Sequence, residues 1–311
     1  MNNEAKFVLI KRSTRLDELI TKFNTLGQAK FYIEHLGADF EDYQIEHRNY
    51  YESLEKTKAI LSKNAKVQLV DRKYLPNYIF GSKDIVIALG QDGLVANTLK
   101  YLTDQMLVGI NPDINRYDGI LLPFQVKDLS LLCRDLLSDN VRHKEVTMAK
   151  VVLNDGQKLL AVNDFFIGQK THTSARYIIS HNNKEEFQSS SGIIVSTGLG
   201  ATGWLKSILE GSMGIINSIS NTKKQTVKNK HMNDWASDLL HFSVREPFPS
   251  RVTKTDIVFG QISKSKPLRI ISQMPENGVI FSDGIESDFL NFNSGIEAQI
   301  EIAEHKGKIV Y

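Results

Sequence analysis

The chain has 311 residues, enough for one large or two medium domains, each with its own core. Its 41% hydrophobic and 24% charged residues are ordinary for a globular protein, and a net charge of +2 with no basic stripe argues against nucleic acid as a partner. The single cysteine, Cys133, excludes an intrachain disulfide framework and a cysteine-rich zinc site.

No apolar run approaches the roughly 20 residues needed to cross a bilayer. Near the start, Phe7–Ile10 is too short for a signal peptide and charge follows at once. A cytoplasmic protein without a membrane partner is expected. In chain order, Phe7–Ile10 suits a strand buried on both faces. Helical stretches follow at Leu16–Phe23 and from about Asp42 to Leu61. Lys66–Val70 reads as a second strand. Asp84–Leu89 (DIVIAL) is the clearest strand signal and runs straight into a glycine turn, and Val108–Ile110 repeats the pattern after an intervening helix. Strands alternating with helices imply a parallel sheet flanked by helices.

Near residue 145 the character changes. Apolar stretches become short and alternating, separated by pairs that favour positive φ. Asp155-Gly156 lies between Lys150–Leu153 and Leu159–Val162, Asn182-Asn183 follows Tyr177–Ile179, and Asn277-Gly278 separates Leu268–Ser272 from Val279–Phe281. Each is a hairpin signal. One helix is expected from about Thr202, and the polar segment 221–230 reads as a surface loop. The fold class expected is α/β: an N-terminal Rossmann-like parallel-sheet domain (1–145), a β-rich, sandwich-like domain (146–300), and a final strand or tail (301–311) that returns toward the first domain.

The main chemical signal is DIVIALGQDGLVANTLKYL. A buried strand ends at Leu89, Gly90 and Gly93 flank Gln91-Asp92, and a helix starts near Leu94. Glycines permit turns closed to other residues and let a ligand approach the backbone. The start of the next helix offers unpaired N–H groups suited to phosphate oxygens. The plainer alternative is a tight turn in which Asp92 caps the helix.

This stretch resembles the GGDGT motif of the NAD kinases and of the wider superfamily that includes diacylglycerol kinases and phosphofructokinases. VGINPDINRYDGILLPF (108–124) resembles that family's second strand, AVNDFFIGQKTHTSARY (161–177) its Asn-Glu or Asn-Asp motif, and SSSGIIVSTGLGATGWLKS (189–207) its STPTGSTAY loop. IFSDGIESDFL (280–290) resembles the late Asp-Gly segment. The five ordered matches span about residues 84 to 290. The TG-rather-than-TP loop and the SARY segment are closer to the mitochondrial-type branch.

The resemblance implies ATP-dependent phosphorylation of the 2′-hydroxyl of NAD to give NADP, with Mg²⁺ carried mainly by the nucleotide. It makes Asp92 the catalytic proton acceptor and gives Gly90, Gln91 and Gly93 to the phosphate turn. Asn163 and Asp164 would hold the dinucleotide, the plain alternative being a hairpin end that satisfies its own backbone. Thr197, Gly198, Gly200, Thr202, Gly203, Trp204 and Ser207 would form the second phosphate and adenine loop. Trp204 would pack on a base or else anchor its helix in the core. Asp283-Gly284 would be a turn or a ligand contact, and His172 a structural residue. The ligand would lie in the cleft between the domains, and a homodimer or homotetramer is implied.

Three departures stand out. Gln91 replaces the motif's second glycine, Leu94 its threonine, and Ser189, Ser190 and Ser191 the aspartate and arginine before the late loop. A non-catalytic NAD(P)-binding sensor and a kinase for a lipid or sugar hydroxyl therefore stand as alternatives.

Overall fold

The computed structural model describes residues 5–219, 232–285 and 288–311. The expected loop at 221–230 lies outside them. The chain divides into two compact units, one of residues 1–144 with 308–311, the other of residues 145–307.

The first unit runs β1 (Lys6–Lys11), α1 (Arg15–Phe23), α2 (Leu26–His35), α3 (Phe40–Ser62), β2 (Lys66–Asp71), β3 (Ile85–Leu89), α4 (Asp92–Leu99), β4 (Met106–Asn111), β5 (Phe124–Gln125) and α5 (Leu129–Leu137). Strands β2, β1, β3 and β4 lie side by side, all parallel. All five residues of β3 are buried, because helices cover both faces of a central parallel strand. Phe7, Leu9, Ile87 and Val108 pack from the sheet onto Tyr50 and Leu54 of α3 and Leu132 and Cys133 of α5. Burial pushes the Cys133 thiol up to about 11, which keeps it protonated and unreactive.

Helix α2 has no counterpart in the sequence expectations. Thr25 caps it by accepting from the Gln28 N–H at 3.2 Å. Ala29 and Ile33 are its buried residues, while Phe31 and Leu36 lie exposed. So thin an apolar stripe gives little periodic signal.

The ends of β1 and α3 are tied by charge. Arg12 and Glu46, both buried, pair at 2.8 Å. Arg15 bridges Glu46 at 2.5 Å and Asp42 at 2.6 Å. Hydrogen bonds from Arg116 and Arg15 pull the Asp42 carboxyl down to about 2.

The second unit begins with β6 (His143–Val146), whose first residues belong to the first unit. It continues with β7 (Ala149–Leu153), β8 (Lys158–Ala161), β9 (Asp164–Gln169), β10 (Ala175–His181), β11 (Lys184–Ser190), β12 (Ile193–Ser196) and α6 (Trp204–Ile219). After the undescribed segment come β13 (Leu240–Val244), β14 (Phe259–Ile262), β15 (Leu268–Ser272), β16 (Gly278–Ser282), β17 (Phe289–Asn291) and β18 (Glu297–Ile302). One six-stranded sheet has the order β11-β10-β15-β18-β7-β8, the other β14-β13-β12-β9-β16-β17. Phe165, Ile167, Tyr177, Ile179, Phe242, Ile270 and Ile300 form one apolar core contributed by both sheets. This is the alternating inward face of a sandwich. The last strand, β19 (Gly307–Val310), belongs from residue 308 to the first unit and pairs parallel with β4 there.

Two of the three hairpin expectations hold. β7 and β8 join through Asp155-Gly156, and β10 and β11 through Asn182-Asn183 at φ 50° and 61°. The third does not. Asn277 has φ 57°, but β15 and β16 lie in different sheets, so the turn carries the chain from one sheet to the other. A turn signal fixes local backbone and not the partner of the strand that follows. Asn183→Ala should lower stability by about 1 kcal/mol, since alanine lacks the short polar side chain that lets asparagine tolerate the left-handed region. Urea midpoints would show it, with Asn183→Gly close to the parent.

Candidate functional site

In the first unit, Gly90 follows β3 and Asp92 is the first residue of α4. Neither Gly90 nor Gly93 adopts positive φ, so the expectation that they supply forbidden turns is corrected. Gly90 leaves room for its neighbour: a Cβ there would lie 2.9 Å from Leu94 Cδ2, and that side chain would have to shift. Leu94, which stands where the motif has threonine, is buried over that glycine. Gly93 is exposed and has nothing within 4 Å of an added Cβ, so the backbone is open to a ligand. Gln91 is the N-cap but makes no side-chain cap bond.

Asp92 does not cap the helix. Its Oδ1 accepts from the Leu121 backbone N–H at 2.6 Å, and Oδ2 has no protein partner among the described residues. The carboxylate is half-buried and half-anchored. The anchor comes from the segment after β4. There Asn111 Nδ2 donates to the Tyr117 carbonyl at 3.0 Å, and Asn111 Oδ1 accepts from the Asp113 N–H at 3.0 Å. The segment then folds back so closely that a Cβ on Gly109 would sit 2.0 Å from the Leu121 oxygen. Gly109 and Leu121 are positioning residues that sequence reading did not single out. The one signal was the glycine within an otherwise apolar strand, which marks close backbone approach.

In the second unit, Asn163 and Asp164 stand at the start of β9. Their side chains make no hydrogen bond to the described residues, so the pair does not satisfy its own backbone. The backbone is held instead by Asp283, which accepts from the N–H groups of Val162 at 3.1 Å, Asn163 at 2.6 Å and Asp164 at 3.3 Å. Asp283 lies at φ 55° and Gly284 at 69°. Burial and the neighbouring Asp283 charge push the Asp164 carboxyl up to about 7.

The loop from Thr197 folds against this pair. Thr197 Oγ1 donates to the Val162 carbonyl at 2.6 Å and accepts from the Gly200 N–H at 3.1 Å. Wholly buried, that hydroxyl shapes the turn. A Cβ on Gly198 would meet the Asp234 oxygen at 1.9 Å, and one on Gly200 the Asn163 oxygen at 2.0 Å. The close approach these glycines permit is therefore made by the protein's own backbone. Thr202 bonds the Leu199 carbonyl at 3.2 Å and Ser207 the Gly203 carbonyl at 3.3 Å, both on the exposed side with Gly203. Thr197→Val should cost about 1–3 kcal/mol by leaving buried groups unpaired. Thermal melts would show the loss, with Thr197→Ser retaining most of the stability.

Trp204 is half-buried. It stacks on Phe166 with ring centroids 5.9 Å apart and planes 3° apart, and Arg245 lies over its ring at 5.4 Å. With Phe281, Phe289, Lys170 and Val279 they line a cavity of about 300 Å³. Trp204 thus packs on a core aromatic and also faces a cavity. His172 is exposed in the turn before β10. Among the described residues no group of three or more His, Cys, Asp or Glu could hold a metal ion. None of the helices described is long and apolar enough to cross a membrane.

No family model matches the sequence, and no curated protein does. Solved structures do match. The chain is similar to an NAD kinase from Archaeoglobus fulgidus in complex with ATP, at 15% identity and a TM-score of 0.55, over 99% of this chain and 93% of that one. It is also similar to yeast NADH kinase complexed with NADH, at 14% identity and a TM-score of 0.59, over 99% of this chain and 84% of that one. At such identities the likeness establishes architecture.

Proposed function

We propose, from the premise that the chain has the fold of the NAD kinases, that it transfers the γ-phosphoryl group of ATP to the ribose 2′-hydroxyl of NAD or NADH. The observation that carries the reading is the half-anchored carboxylate of Asp92. One oxygen is fixed by Leu121, and the other has no partner among the described residues, at the carboxyl end of β3, where open α/β sheets bind ligands.

In this reading Asp92 Oδ2 accepts the hydroxyl proton as the ribose oxygen attacks the γ-phosphorus. The bond from that phosphorus to the β–γ bridging oxygen breaks, and ADP departs with the electron pair. The Asp92 and Gly93 N–H groups at the start of α4 face phosphate oxygens, favoured by the helix dipole. Phosphoryl transfer asks chiefly for alignment and charge stabilisation. Among the described residues there is no carboxylate or histidine cage for Mg²⁺, and the ion would be carried by the nucleotide phosphates, supplying charge stabilisation there. In the second unit, Asn163 and Asp164 have side chains that make no hydrogen bond to the described residues and can take a nucleotide's polar groups, and Trp204 offers an aromatic face.

The test is incubation of the full chain with ATP and Mg²⁺ and either NAD or NADH, with NADP(H) measured beside thermal-shift titration. Product formation supports the kinase. Stabilisation by the dinucleotide without product overturns the transfer step and leaves a binding protein.

A further inference from the structure

Two acids meet at one end of the β9–β16 pair. Phe166 stands opposite Phe281 and Phe165 opposite Ser282. One step further the same register sets Asp283 opposite Asp164, and the Asp283 N–H donates to the Asp164 carbonyl at 2.9 Å. The Asp283 carboxylate accepts from the N–H groups of residues 162–164.

Among the described residues Asp164 has no such donors. Its residue is 9% exposed. From β12 it faces Ser196, which is uncharged and gives its hydroxyl to the Thr197 carbonyl at 3.1 Å. Among the described residues the charged group acting on it is Asp283, from β16. Like charges directly opposite on a sheet are unfavourable, and a buried carboxyl beside a second carboxylate is driven toward its neutral form.

We infer that Asp164 works as a neutral acid, donating its O–H to an oxygen of the bound nucleotide, and that Asp283 is the positioning residue that keeps the proton there. The inference rests on the dinucleotide reading above. It makes this edge of the site a donor. A carbonyl, phosphate or sugar oxygen is welcome beside Asp164, where an ionised carboxylate would repel the first two. Because the carboxyl lies above its ordinary value, the neutral form is complete in mildly acidic solution. The contact is lost as pH rises through about 7.

The test has a ligand-free arm and a binding arm. In the full chain with ¹³C-labelled aspartate, carboxyl NMR should show one group titrating near pH 7. That group should be missing in Asp164→Asn and titrate lower in Asp283→Asn, which keeps an acceptor oxygen but loses the charge. With NADH as the probe, Kd should rise about tenfold from pH 6 to pH 8, as expected for a site that binds ligand in its protonated form. Asp164→Asn, a permanent donor, should give a flat profile whatever its level. A wild-type midpoint near 4, or a pH dependence that persists in Asp164→Asn, overturns the proposal, and the first result needs no variant to fold. No NADH binding at any pH, beside a midpoint near 7, overturns the ligand contact because the dinucleotide reading has failed. Tight NADH binding with a midpoint near 4 overturns the neutral acid alone.

Discussion

Replacing Asp92 with asparagine should reduce the rate of NADP(H) formation by about 10²- to 10⁴-fold, the usual range for loss of a positioned general base. The amide oxygen can still accept the Leu121 N–H that now holds Oδ1. The segment after β4 therefore stays in place, and the melting temperature should change little. What disappears is an oxygen able to take a proton from the ribose hydroxyl. A fall in kcat with nearly unchanged KM is the expected signature, since the interaction is made in the transition state. An Asp92→Asn protein with parental kcat would leave the carboxylate without a chemical role.

Gly109→Ala should damage both stability and rate. A methyl group would lie 2.0 Å from the Leu121 oxygen, a backbone atom that cannot swing aside. Either β4 or the 111–122 segment must shift, at a cost of about 1–3 kcal/mol or more. A shift of the segment takes the Leu121 N–H away from Asp92. Misplacing a catalytic group by about 1 Å can cost on the order of 10²-fold in rate. Urea denaturation with steady-state kinetics separates the two variants: Asp92→Asn loses rate alone, while Gly109→Ala loses both. A Gly109→Ala protein of normal rate and stability would mean that Leu121 does not set the carboxylate's position.

The parts of the fold legible in sequence were those where one local cause dominates. β3 is five consecutive buried residues, and Asn182-Asn183 is a turn whose backbone demands such residues. Helix α2, with two buried residues in ten, left no comparable trace. The Asn277-Gly278 turn showed the limit of local reasoning, because which strand β16 joins is decided by packing across two sheets. At the site, residue types at Asp92, Asn163 and Asp164 could be read along the chain. What holds them could not. The Leu121 N–H acts through its backbone, and Asp283 reaches three N–H groups about 120 residues earlier in the chain. The glycines divided differently from expectation. Gly93 is open, whereas Gly198 and Gly200 are filled by the protein's own carbonyls. Two-residue motifs do not distinguish a glycine kept for a ligand from one kept for packing.

The most direct test is a structure of the full chain with dinucleotide bound, read at one distance. The proposal predicts the free Asp92 oxygen within about 2.6–3.2 Å of a ribose hydroxyl, the reach of a general base. A dinucleotide bound with its ribose hydroxyls turned away from Asp92, or held on another surface, would contradict it.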